Sequence, residues 1–118
     1  MTPEVQDDTA KAKQKVVKPT DLVSYEDGSI VSETIIDRKA VSVAVFAFDK
    51  YQGIVEHILP YDTLFYVLEG EAEIELSGKS CSVKSGEMIL IPGKNPHAVN
   101  AKVSLKCYYY RLRSKVIF

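Results

Sequence analysis

Histidine, cysteine and tryptophan are scarce or missing here: the 118-residue chain has two, two and none. Two cysteines, Cys81 and Cys107, cannot build the disulfide framework that staples small secreted domains. They read instead as reduced core residues of a cytoplasmic protein. No stretch approaches the roughly 20 apolar residues that a membrane-crossing helix needs, so no membrane partner is expected. Charge of one sign is missing too. Lys and Arg total 15 against 16 Asp and Glu, a net charge of -1, which gives no basic surface for nucleic acid. There is no glycine loop to cradle phosphate and no nucleophile elbow. Nor is there a segment of helical period and useful length; a turn near Asp21 to Val23 is the most that is expected.

What is present is a run of short strands. The hydrophobic share of 46% and charged share of 26% suit one ordinary globular core. Residues 1–20 are polar, lack the apolar core of a secretory leader and end near Pro19. They are expected to form a mobile arm on a single domain spanning 21–118. Strands are expected over Ser29 to Ile36, Val41 to Phe48, Thr63 to Leu68, Glu71 to Leu76, Ser80 to Val83, Glu87 to Pro92 and Val103 to Leu112. Turns fall at Gly70, Ser77-Gly78-Lys79, Lys84-Ser85-Gly86 and Gly93 to Pro96. Within Glu71 to Leu76 the apolar and acidic residues alternate, so this strand has one wet face. Val41 to Phe48 is apolar on both faces and must be covered on both sides. Tyr108, Tyr109 and Tyr110 point to alternate sides. The class is all-β, a sandwich or barrel.

Two motifs carry a family resemblance. Gly53-(x)3-His57-x-Leu59-(x)3-Thr63-(x)6-Gly70 resembles the first cupin motif, and Phe65 to Glu71 follows the turn region of that motif closely. Gly86-(x)5-Pro92-Gly93-(x)3-His97-(x)2-Asn100 resembles the second, with Gly93 and Asn100 each one position early. The resemblance covers about Gly53 to Asn100 and implies a double-stranded β-helix, the jelly-roll-like cupin barrel. In metal-binding cupins the corresponding positions hold the ion. Here they are His57, Leu59, Thr63 and His97, so one imidazole has become a leucine and the carboxylate a threonine. Neither replacement is a good ligand for a divalent ion.

Both histidines of the chain therefore fall on ligand positions. The leading expectation is a small-molecule ligand in the barrel mouth, anchored by His57 and His97, with Leu59, Thr63 and Tyr66 shaping the wall. Tyr61 and the tyrosines at 108 to 110 add aromatic surface. The bland alternative is two hydrogen-bonded imidazoles without chemistry. A second reading is a metal-dependent oxygenase or isomerase in which His57, His97 and a recruited Asp62 hold iron, manganese, nickel or zinc. The preferred reading of Asp62 is a turn residue capping local backbone. Cys107 could face inward, as a buried hydrophobe. A third reading is a non-catalytic oligomeric interaction module. The outer apolar faces of Val41 to Phe48 and Val103 to Leu112, with the habits of small cupins, point to a homodimer.

Overall fold

The computed structural model describes residues 14–113. The first part of the polar arm and the C-terminal Val116-Ile117-Phe118 lie outside the described residues. A short 3-10 turn, Pro19–Leu22, precedes nine strands: β1 (Ile30–Asp37), β2 (Val41–Phe48), β3 (Gly53–His57), β4 (Asp62–Glu69), β5 (Glu71–Leu76), β6 (Lys79–Lys84), β7 (Met88–Ile91), β8 (His97–Ala101) and β9 (Leu105–Leu112). They form two antiparallel sheets, ordered β1-β2-β9-β4-β7 and β3-β8-β5-β6. This is the expected double-stranded β-helix. Among the described residues no helix is long and apolar enough to cross a membrane.

Alternation decides which side chains meet between the sheets. On β4 the odd residues Thr63, Phe65 and Val67 are buried and the even ones lean outward. On β9 Leu105, Cys107 and Tyr109 are buried, and on β5 Ala72 and Ile74. With Phe48, Val83, Ile91, Val99 and Ala101 these make one continuous core. Each fully buried large side chain in it contributes roughly 1.5–3 kcal/mol. Burial also raises the Cys107 thiol well above its ordinary range, which leaves it an inert core group. Cys81 departs from expectation: it is exposed on β6, which forms a sheet edge.

The second cover required by β2 comes from the chain itself. Val45 and Ala47 face away from the main core yet are wholly buried, under Leu22, Val23 and Tyr25. This strap is tied down by Lys106, whose Nζ donates to the Thr20 carbonyl at 2.7 Å and lies over the Tyr25 ring. The Tyr25 hydroxyl in turn donates to Glu69. Among the described residues, packing against the barrel begins at Pro19.

Candidate functional site

The paired register places the two histidines side by side. His57 ends β3 and His97 opens β8, and they are direct partners across the sheet, with Leu76 of β5 on the other flank of His97. Gly53 makes this approach feasible. A Cβ there would stand 2.5 Å from the Val99 carbonyl oxygen and 2.6 Å from Asn100 Oδ1, so β3 lies closer to β8 than any side chain permits. A register shift between Ile54 and His57 then re-aims the end of the strand. The imidazole centroids are 4.3 Å apart at an interplanar angle of 52°.

Both rings are oriented by the backbone. His57 Nδ1–H donates to the Val55 carbonyl at 3.1 Å, and His97 Nδ1 faces the Asn95 carbonyl at a longer 3.4 Å. A carbonyl can only accept, so Nδ1 carries a proton in each ring. His97 is 1% exposed, and its Nε2 is buried without a hydrogen-bond partner. Burial holds this imidazole below the ordinary histidine range, with the charges of His57 and Arg111 adding to the effect and the Asn95 carbonyl opposing it.

The opposite sheet supplies a polar row at the same end of the barrel. Arg111 of β9 is the cross-strand partner of Ser42 on one side and Thr63 on the other, and Thr63 pairs onward with Ile91. Ser42 and Thr63 are both buried. The Arg111 guanidinium lies 5.1 Å above the Tyr109 ring, which is packed against Phe46 at 4.8 Å and edge-on to Phe65 at 5.2 Å. Three further polar atoms here are buried without a partner: Thr63 Oγ1, Tyr109 OH and Arg111 Nε. Buried polar groups in folded proteins are nearly always paired, so these four atoms stand out from the rest of the described interior.

Not every expected residue belongs to it. Thr63 and His97 are buried, and the His57 ring lies against that of His97. Tyr66 is corrected: β4 alternation turns it to the face opposite Thr63, where its ring lies 6.2 Å from Tyr108, itself 5.2 Å from Tyr110. Of the aromatic residues expected to line the site, Tyr109 is buried, with its ring against Phe46, Phe65 and the Arg111 guanidinium. Leu59 lies past the end of β3, where period-two alternation no longer applies, and its carbonyl accepts from Lys94 N–H at 2.7 Å. Asp62 is exposed and its carboxylate accepts from Gly93 N–H at 2.8 Å, the backbone-capping role rather than a metal ligand. Arg111 was missed by sequence reasoning. The signal was present: on the strand Val103 to Leu112, odd-numbered residues follow Tyr109 inward, and Arg111 is the charged member of that series.

These donors do not fit a divalent ion. Among the described residues no group of three or more His, Cys, Asp or Glu side chains is placed to hold a metal. Two imidazoles alone fall short of the usual three or four protein ligands, and an adjacent guanidinium opposes a second cation.

The cupin-domain family model matches residues 44–109, more than half of the chain. Among solved structures, a conserved protein of unknown function from Streptococcus pyogenes is 29% identical, with a TM-score of 0.83 over 87% of this chain and 90% of that one. A cupin superfamily protein from Desulfitobacterium hafniense is 20% identical, with a TM-score of 0.82 over 86% of this chain and 94% of the other. A cupin 2 conserved barrel domain protein from Leptotrichia buccalis is 30% identical, with a TM-score of 0.76; the match covers 79% of this chain and 45% of that one. No curated protein matches the sequence. The chain belongs to the cupin family.

Proposed function

We propose that this cupin binds a small polar organic molecule inside one end of the barrel, using His57 and His97 as anchors and Thr63 as part of the wall. The observation that carries this reading is the cluster of buried, unpartnered polar atoms between the two sheets, headed by His97 Nε2. An unmade hydrogen bond in the interior costs about 1–3 kcal/mol, and a ligand that completes several of them regains that energy on binding. Thermal-shift screening against small polyols, acids and amides tests it. Binders should raise the melting temperature of the parent and lose that effect in His97→Gln. A screen in which stabilising compounds act equally on both proteins would sink the reading.

We infer also that the protein is a homodimer through the outer face of the five-stranded sheet, and that it works in the cytoplasm. Support for the dimer is the cross-strand row Val43, Tyr110, Leu64 and Leu90, flanked by Tyr108, Tyr66 and Met88. Leu90 is 53% and Met88 61% exposed on β7, a sheet edge, where apolar side chains are an aggregation hazard unless covered. Support for the compartment is that Cys81 and Cys107 are both unpaired.

A further inference from the structure

A guanidinium inside a barrel calls for an account. Arg111 belongs to the inward-facing series of β9, its Nε is buried, and no carboxylate bond to it occurs among the described residues. The acid in Arg111's own cross-strand row is Asp37, partner of Ser42, whose carboxylate is engaged by Arg113 at 2.9 Å; Asp62, partner of Leu112, sits on the other face of β4 and is engaged with Gly93 N–H. Stacking on Tyr109 engages the flat face of the guanidinium, while its Nε–H is buried without an acceptor. A half-buried guanidinium with an unmatched Nε–H is best met by an acceptor with a planar fork, and carboxylate fits that fork best.

The histidine side of the site makes the complementary demand. With its Nδ1 turned to the Asn95 carbonyl, His97 presents a lone pair at Nε2 and so needs a donor. Burial and the neighbouring Arg111 guanidinium favour that neutral state. A bare anion cannot supply the donor, and a neutral polyol cannot match the arginine. We propose, resting on the small-molecule reading above, that the ligand is a small hydroxy acid: its carboxylate pairs with Arg111 and its hydroxyl donates to His97 Nε2. Thr63 and Tyr109 hydroxyls can each give or take a bond and complete the cradle.

A matched pair of probes separates this assignment from the broader reading. Lactate and propane-1,2-diol differ in that one carries a carboxylate where the other has a hydroxymethyl group. With two histidines in the chain, both imidazoles can be followed by NMR during titration. Both probes should shift the His57 and His97 signals, lactate with an affinity about tenfold or more above the diol, roughly what one charge-assisted pair supplies. Acetate, lacking the hydroxyl, should bind more weakly than lactate. Arg111→Gln should bring lactate down to the diol's affinity and leave the diol unchanged. Arg111→Lys keeps the charge without the fork and should lose part of the preference; it serves if the glutamine variant does not fold. Equal affinities for lactate and the diol in the parent, or a preference that survives Arg111→Gln, would overturn the hydroxy-acid assignment and leave the small-molecule reading standing. If neither probe moves either imidazole while a neutral compound from the thermal screen does, the hydroxy-acid assignment alone fails. If no compound moves them, both readings fail.

Discussion

Replacing Thr63 by valine should make the ligand-free protein more stable and the site less useful. Thr63 is fully buried on the inner face of β4, and its hydroxyl has no hydrogen-bond partner. A hydroxyl in that state carries a desolvation cost of about 1–3 kcal/mol, which valine removes while keeping nearly the same shape and the same β-branched fit to a strand. Taking the lower part of that range, Thr63→Val gains about 1 kcal/mol, or about 4–8 °C in melting temperature for a domain of this size. Urea and thermal unfolding of the free protein read the gain directly. The same variant should show a smaller ligand-induced rise in stability, because binding loses one hydrogen bond. Such a trade of stability for a working site is common where polar groups are held ready for a ligand. A loss of about 1 kcal/mol or more in Thr63→Val would refute the reasoning, for it would mean that the hydroxyl is already well bonded in the free protein.

Gly70→Ala should be severe: the backbone there has φ of +89°, and a Cβ would stand 2.1 Å from the Ser104 carbonyl oxygen. The left-handed conformation alone costs about 1–2 kcal/mol, and the clash with backbone adds to it, so a total of about 3 kcal/mol or more should appear in urea unfolding. Stability should also fall as pH drops below about 6.5, because the unfolded chain takes up a proton at His97 before the folded one does. His97→Gln should flatten that acid limb, and identical limbs in parent and variant would contradict the account. Leu90→Lys, placed on the outer face of β7, should convert a two-chain particle into single chains by light scattering, with the fold unchanged by circular dichroism.

Much of the fold is legible because its strands alternate and its turns are marked. Val41–Phe48 and Glu71–Leu76 run as their residues suggest, and β1, β4, β6, β7 and β9 shift by small amounts at their ends. Gly53–His57 and His97–Ala101 are harder to delimit, since a register shift breaks the period in the first and the second is short and buried at nearly every position. The site is legible at the histidines because scarcity makes them conspicuous. It is hidden at Arg111, since an inward arginine differs from a rim arginine only by strand parity, and that parity needs an anchor such as buried Tyr109. Tyr66 misleads for the same reason: one step along β4 moves a side chain from the inner wall to the outer one.

The most direct test of the central claim follows the two imidazoles while a small-molecule binder is added to the parent and to His57→Gln, His97→Gln. The account predicts that a compound found to stabilise the protein shifts both histidine signals in a saturable way, with the same affinity as its thermal effect, and that the double variant no longer responds. A stabilising compound that leaves both signals in place, or that binds the double variant equally well, would place the site elsewhere on the barrel and contradict it.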